Sequence, residues 1–362
     1  MAEPQHARQA ALTQLLIGSN LDGLLVNSLP NIRYLTGFSG SNALLLIAPT
    51  ETWFFTDFRY EAQVADEVVG ATRVFIETTS LWKGLWEQLA TRQGTAAFGF
   101  ESAHLLHRDF QRLMEDGSRW TWRPTTDIVE GLRTRKEPRE VESIRLAGVI
   151  ATSALERTLA EVRAGLTENE VAGLLEQNLR NAGSDGFPFG TIAASGPRSA
   201  LPHARAGSRP IAPGDFVLLD FGAVFEGYCA DITRTVVVGR ASERQREVYE
   251  AVKEANERAR AQIAPGMTGQ QADAIARSAL TARGFGEAFG HGLGHGLGIE
   301  VHEAPRLSRI AEGILPQGAV VTIEPGAYLP GFGGVRIEDD VHLVAGGAEL
   351  LTEFPRELIE LS

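Results

Sequence analysis

The amino-acid sequence predicts an α/β N-terminal domain, residues 1–132, followed by an α+β domain, residues 133–362, with an internal pseudo-twofold duplication. The length of 362 residues exceeds what one ordinary hydrophobic core needs. Strand-like and helix-like segments alternate through the first third of the chain, as in an α/β domain. A charged segment at 133–137 then precedes Pro138, a residue favoured in the first turn of a helix. The rest of the chain contains two pairs of matching segments in the same order.

Apolar spacing predicts the individual elements of the N-terminal part. Strands are predicted at 24–26, 43–48, 52–55 and 74–76, where apolar, β-branched and aromatic residues are continuous. Helices are predicted at 60–69, 81–92 and 107–115. A longer helix is predicted to begin at Pro138 and to end at about Val162.

The duplication is visible in two ungapped matches. Residues 165–170 match residues 266–271, and residues 214–223 match residues 318–327. In both copies the first match begins a helix with a capping box, formed by Thr167 with Glu170 and by Thr268 with Gln271. Each helix is predicted to end at a glycine in the same register, Gly183 in the first copy and Gly284 in the second. The second match places Asp220 and Glu324 at the same position, so two halves packed about a pseudo-twofold axis would bring these two acids together.

Composition excludes several classes of partner. The 34 Lys and Arg residues against 46 Asp and Glu residues leave a net charge of −12, which disfavours nucleic acid and anionic membranes as partners. The one cysteine, Cys229, allows neither an internal disulfide nor a cysteine-based zinc site, and we interpret it as a small strand residue. The N-terminus does not resemble a signal peptide, so we expect a cytoplasmic protein.

Four acidic residues are predicted to converge on two hairpins. If the first hairpin turns between Phe225 and Glu226, Asp220 lies directly opposite Asp231. The second hairpin, centred on Gly331, brings Glu324 opposite Glu338 in the same way. Four facing carboxylates cannot all remain ionised without a positive charge between them, and a pair of divalent metal ions supplies that charge.

A glycine-rich segment adds histidines to this site. Five glycines alternate with other residues from Gly290 to Gly298, which excludes a helix and indicates extended backbone that approaches a neighbour closely. The segment and its continuation carry His291, His295 and His302, which we expect to line the site.

Together these residues resemble the pita-bread metallopeptidases, which include methionine aminopeptidase, aminopeptidase P and prolidase. The resemblance covers the chain from about Leu132 to the C-terminus. It implies two divalent ions held by five ligands: Asp220, Asp231, His295, Glu324 and Glu338. It also implies that His203, His291 and His302 handle the substrate and the tetrahedral intermediate, that Glu324 moves a proton besides binding metal, and that Tyr328 and Arg336 support the site. The oxygen-rich ligands favour manganese, with cobalt or zinc as alternatives.

The N-terminal part narrows the resemblance to the Xaa-Pro branch of the family. Residues 31–40 and 56–60 resemble the domain that aminopeptidase P and prolidase carry and methionine aminopeptidase lacks, and residues 194–203 of the second part match the same branch. The expected substrate is therefore a peptide with proline in second position, and the expected assembly is a homodimer or a higher homo-oligomer. Remote alternatives are a metal-free creatinase-like hydrolase and a non-catalytic binding module, as in some histone-chaperone subunits.

Two activities within this branch compete. We expect an aminopeptidase P, which accepts longer chains, because the short N-terminal domain has little material to close the pocket beyond the proline. The alternative is a prolidase restricted to dipeptides, in which an arginine such as Arg33 or Arg59 would grip the free proline carboxylate.

Overall fold

A computed structural model describes residues 3–362 as two compact units, one ending at Arg133 and the other beginning at Thr134. Among residues 3–362, no helix is long and apolar enough to cross a membrane.

The first unit is a mixed six-stranded sheet with helices on both faces, in the strand order β4-β3-β2-β1-β5-β6. Its strands are β1 Gly23–Val26, β2 Ala43–Ala48, β3 Glu51–Asp57, β4 Arg73–Glu77, β5 Ala97–Glu101 and β6 Thr121–Thr125. Its helices are α1 Pro4–Gly18, α2 Leu29–Thr36, α3 Glu61–Glu67, α4 Leu81–Ala90, α5 His107–Glu115 and α6 Ile128–Arg133.

The strand predictions for this unit are confirmed, whereas two helices are shorter than predicted. Strand β2 is buried along its whole length, which explains its unbroken apolar sequence. The helix predicted at 60–69 is a short 3-10 turn at Phe58–Tyr60 followed by α3, and the helix predicted at 81–92 ends at Ala90. Helices α1, α2 and α6 and strands β5 and β6 were not predicted, because their short apolar patterns are ambiguous without tertiary contacts.

The second unit contains three sheets and four helices. The helices are α7 Pro138–Leu159, α8 Glu168–Asn181, α9 Glu243–Gln262 and α10 Gly269–Ala282. The strands of the first half are β7 Ile192–Ser195, β8 Phe216–Phe225 and β9 Tyr228–Val238, joined at the edge by β17 Glu360–Leu361. The strands of the second half are β10 Gly294–Gly296, β11 Glu303–Leu307, β12 Val320–Ile323, β13 Gly326–Leu329, β14 Gly333–Arg336, β15 Asp339–Val344 and β16 Gly347–Leu350.

Helix α7 begins as the sequence predicts. Pro138 occupies its first turn, and Glu137 and Glu140 form a capping box around it. The helix ends at Leu159, three residues before the predicted end at Val162.

The two halves of this unit repeat each other in detail. Thr167 and Thr268 cap α8 and α10 with the predicted capping boxes, and the predicted C-terminal glycines Gly183 and Gly284 have φ angles of 102° and 81°. The backbone of each cap residue is held in the same way, by bridges from Thr167 to Pro210 and from Thr268 to Ile314. Each helix pair then covers its own sheet, with one apolar core per half.

Candidate metal centre

Strands β8 and β9 form a long hairpin that carries Asp220 and Asp231. The turn is made by Glu226 and Gly227, with φ angles of 49° and 76°, and Phe225 pairs with Tyr228 across it. The register therefore pairs Asp220 with Thr233 and Gly222 with Asp231. The prediction that the two aspartates lie directly opposite each other is wrong, because a two-residue turn with both φ angles positive moves the tip by one residue. They lie diagonally on one face of the hairpin.

Glu324 and Glu338 lie in the predicted register of the second hairpin. On one side Ile323 pairs with Asp339, and on the other Gly326 pairs with Arg336, so both ladders are centred on residue 331. The two glutamates occupy the break between the ladders. Their backbone NH groups turn to other strands: Glu324 donates to the Leu293 carbonyl and Glu338 to the Thr233 carbonyl.

The glycine-rich segment is extended, as predicted, and its centre is strand β10 between β11 and β12. Glycine is needed there because neighbouring backbone is close. A Cβ atom on Gly294 would lie 2.1 Å from the Thr322 carbonyl oxygen, and one on Gly296 would lie 2.2 Å from the Ala304 carbonyl oxygen. This packing brings His295, between these two glycines, up to the carboxylates.

Carboxylate oxygens of Asp231, Glu324 and Glu338 converge around His295. Its Nε2 atom lies 3.5 Å from Oε1 of Glu324 and 3.9 Å from Oδ2 of Asp231. One ligand atom each from Asp231, His295 and Glu338 lies within 4.8 Å of the others, the spacing of a group that could hold a metal ion. The Nδ1 atom of His295 lies 3.0 Å from the Gly296 carbonyl oxygen. If Nδ1 carries the proton, Nε2 is left as an acceptor, the form that binds metals.

The electrostatics of this cluster favour the binding of a cation. Burial, followed by repulsion from the neighbouring carboxylates, raises the pKa values of Asp231 and Glu338 well above their usual range. Burial raises the pKa of Glu324 to about 8 and lowers the pKa of His295 to about 4. In addition, Oδ1 of Asp231 is buried without a hydrogen-bond partner. Such an orphaned oxygen fits a metal ligand, since buried acceptors are otherwise paired.

Arg336 connects Asp220 to Tyr328 and His291. Its buried guanidinium donates to the Asp220 carboxylate, to the Tyr328 hydroxyl at 2.6 Å and to Oγ1 of Thr233 at 3.1 Å. The Tyr328 hydroxyl also lies 2.8 Å from Nε2 of His291, whose Nδ1 lies 2.8 Å from the Gly292 carbonyl oxygen. Burial lowers the pKa of His291 to about 4, so this imidazole is neutral. Both its nitrogens have partners within the protein. A contact of His291 with the substrate stays a prediction.

His203 and His302 lie on the exposed side of the cluster, in corresponding loops of the two halves: the loop after β7 and the loop after β10. The His302 ring stands edge-on to the His295 ring, with centroids 4.4 Å apart. Burial lowers the pKa of His302, and the neighbouring His203 and Arg306 lower it further. These loops therefore hold two imidazoles that are not part of the carboxylate cluster.

Four residues near the cluster were missed at the level of sequence. Thr233 donates to Glu338 at 2.5 Å, and Thr322 donates to Glu324 at 3.3 Å. The buried carboxylate of Asp340 accepts the Asp231 backbone NH at 2.8 Å. Arg306 pairs directly with His295 across strands β10 and β11. Thr233 and Asp340 each stand two residues after a predicted ligand, so period-2 alternation along a strand was the available signal.

Comparison with known protein families identifies the fold. The model of metallopeptidase family M24 matches residues 142–345, and the creatinase/prolidase N-terminal domain matches residues 8–135. The chain belongs to metallopeptidase family M24. The resemblance to the Xaa-Pro branch of this family is confirmed, as is the combination of an α/β N-terminal part with a pita-bread domain.

Relatives of this M24 chain carry two kinds of name. It is 36% identical to an Xaa-Pro dipeptidase of Pyrococcus horikoshii, over 94% of this chain and 95% of the relative. A solved Xaa-Pro dipeptidase from Bacillus anthracis superimposes with a TM-score of 0.93 at 38% identity, covering 99% of this chain and 100% of the other. A solved X-Pro aminopeptidase from Thermotoga maritima gives a TM-score of 0.88 at 37% identity, covering 98% and 99%.

Proposed function

We propose that this chain is a metal-dependent Xaa-Pro dipeptidase, which hydrolyses the bond between an N-terminal residue and a C-terminal proline. The observation that carries the hydrolytic part is the convergence of Asp231, His295 and Glu338 around an orphaned, buried carboxylate oxygen. The names of the relatives favour the dipeptidase over the aminopeptidase P expected from sequence.

The proposed metal ligands are those that the family resemblance implies: Asp220, Asp231, His295, Glu324 and Glu338. Four carboxylates and one imidazole suit two divalent ions, and the oxygen-rich set favours manganese. Thr233 and Thr322 would orient Glu338 and Glu324 by hydrogen bonds to their carboxylates. Asp340 would hold the Asp231 backbone in place.

Bound divalent ions would supply a lowered pKa for the attacking water and polarisation of the scissile carbonyl. Glu324 would accept a proton from the attacking water and pass it to the proline nitrogen as the C–N bond breaks. His302 and His203 lie on the exposed side, where an imidazole NH can donate to the carbonyl oxygen as its negative charge develops. His291 would act indirectly, by holding the Tyr328 hydroxyl.

Arg306 supports the restriction to dipeptides. It lies opposite His295 in the β10–β11 ladder, and its positive charge lowers the pKa values of both His295 and His302. Its side chain is exposed, and no residue among 3–362 forms a hydrogen bond or ion pair with its guanidinium. An unengaged arginine can bind a substrate carboxylate through two parallel hydrogen bonds. Arg59, by contrast, already makes such a bidentate contact with Asp57, at 2.8 Å through both Nε and Nη2.

The two remote alternatives lack support in this site. Neither a metal-free hydrolase nor a binding module requires a cluster of buried carboxylates, which is costly to ionise without a bound cation. Metal analysis of the purified protein separates these alternatives from the proposal, since either one predicts no bound metal ions.

A comparison of Ala-Pro with Ala-Pro-Ala, at one fixed manganese concentration, tests the dipeptidase assignment. We expect kcat/KM for the dipeptide to be higher by about tenfold or more, equivalent to ~1.4 kcal/mol of transition-state binding. A preference for the tripeptide would restore the aminopeptidase assignment. Absence of hydrolysis of both peptides by metal-loaded enzyme would reject both.

A further inference from the structure

A buried ion pair lies directly beside His302. Nζ of Lys136 is 3.0 Å from Oε2 of Glu303, and the two side chains are 1% and 6% exposed. Lys136 stands in the short segment before α7, and its backbone NH donates to the Gly318 carbonyl at 2.8 Å. Its ammonium group therefore extends from a fixed backbone to the residue that follows His302.

The same carboxylate closes the loop at 298–303, the "histidine loop". Oε1 of Glu303 accepts the backbone NH of Glu300 at 3.0 Å. The loop is closed further by a bond from the Gly298 NH to the Glu300 carbonyl, at 3.0 Å. A Cβ atom on Gly298 would lie 3.0 Å from Cε of Lys136, so the lysine stem packs against the loop backbone.

The histidine loop contacts the metal cluster through His302. The His302 ring meets the His295 ring edge-on, at 4.4 Å between centroids. A shift of this loop would therefore move the exposed imidazole of His302 relative to the cluster.

Stability alone is a weak reason for a buried ion pair. Removing two charges from water is costly, and well-packed apolar residues of the same volume are often as stable or more stable. A charged, hydrogen-bonded pair also fixes the orientation of its side chains, because the Glu303 carboxylate must face both the Lys136 ammonium and the Glu300 amide.

We infer that Lys136 is a positioning residue for catalysis: through Glu303 it fixes the histidine loop and so holds His302 against the substrate carbonyl. This inference rests on the proposed function for its kinetic consequence. Misplacement of a catalytic group by about 1 Å can cost up to ~10²-fold in rate. The side-chain partner of Lys136 is Glu303, which is not one of the proposed metal ligands, so the loss should fall on kcat and leave metal content unchanged.

A double-mutant cycle tests this. Lys136→Met should lower kcat about tenfold, with KM changed less than about twofold, and Lys136→Arg should recover most of the rate. In a His302→Ala background the same Lys136→Met change should have less than about a twofold effect, because the group that it positions is gone. The matched control is Lys253→Met, which removes a partly exposed lysine with ion pairs of 3.7 and 3.9 Å and should leave kcat unchanged.

Equal losses in both backgrounds, or a parallel loss of metal, would overturn the inference. If Lys136→Met does not fold, Glu303→Gln keeps the volume and one acceptor and takes its place in the cycle. Amide hydrogen exchange supplies a readout that needs no activity: residues 298–303 should exchange faster in Lys136→Met and unchanged in Lys253→Met. Unchanged exchange in Lys136→Met contradicts the inference, whereas an inactive wild-type enzyme with the expected exchange pattern contradicts only the proposed function.

Discussion

Nε2 of His295 lies 3.5 Å from Oε1 of Glu324, with the Nδ1 side of the same imidazole at the Gly296 carbonyl. This separation exceeds a hydrogen bond but matches two ligands of one ion, since metal–ligand bonds of about 2.1 Å place neighbouring ligand atoms roughly 3–3.5 Å apart. The pair is therefore spaced to bind one cation.

Removal of metal should abolish hydrolysis. Chelation should reduce the rate to background, and Mn²⁺ should restore it, because the proposed reaction depends on bound cations to lower the pKa of the attacking water. Asp231→Ala should fold and lose activity by more than about 100-fold, the upper range for loss of a mere supporting group. The exposed Asp66→Ala variant is the control. Undiminished turnover after complete demetallation, checked by elemental analysis, would reject a metal mechanism.

The metal-free protein should become less stable as pH rises from about 5 to 8. Glu324 has a pKa of about 8 in the fold against 4.5 in the reference state, so the folded state binds the proton more tightly than the unfolded chain. Stability from this group is complete below pH 4.5 and is lost as pH approaches 8. Bound cations reverse this, so the rise in Tm on adding Mn²⁺ should be larger at pH 8 than at pH 5. Glu324→Gln should flatten the metal-free pH profile; an unchanged slope in that variant would contradict the assignment.

His302→Ala and His203→Ala should each lower kcat far more than metal content. Loss of one donor to a developing oxyanion typically costs about 10²–10³ in kcat. Both imidazoles lie outside the carboxylate cluster, so metal occupancy should stay near that of the wild type. Parallel measurement of kcat and bound metal decides the point, with the exposed His107→Ala as control. If metal falls in step with rate, these histidines act as ligands.

Arg306→Ala should remove the preference for dipeptides. Loss of the guanidinium should raise KM for Ala-Pro and leave Ala-Pro-Ala nearly unchanged, because only the dipeptide presents a carboxylate at that position. Arg306→Lys should recover part of the effect, since lysine keeps the charge but not the planar fork. Arg205→Ala is the matched control, an exposed arginine in the corresponding loop of the first half. An equal rise in KM for both peptides would mean that Arg306 maintains the structure of the loop and does not bind the substrate carboxylate.

The sequence alone was sufficient for features that depend on local chemistry. The capping boxes at Thr167 and Thr268 and the start of α7 at Pro138 follow from nearest neighbours along the chain. The register of the second hairpin was also predictable, because the loop around Gly331 contains enough glycine to mark its centre. Repetition of the acidic position in two halves then indicated a shared site.

Only the tertiary structure decided the register of the first hairpin and the contacts between residues distant in sequence. The register of the first hairpin depends on whether Glu226 accepts a positive φ angle, a small local free-energy difference that is settled by the packing of two long strands. The contacts of Asp340 with Asp231, and of Lys136 with Glu303, join residues that are far apart in sequence. Such contacts form only when separate strands are packed together, and no local pattern encodes which of many buried charges will meet.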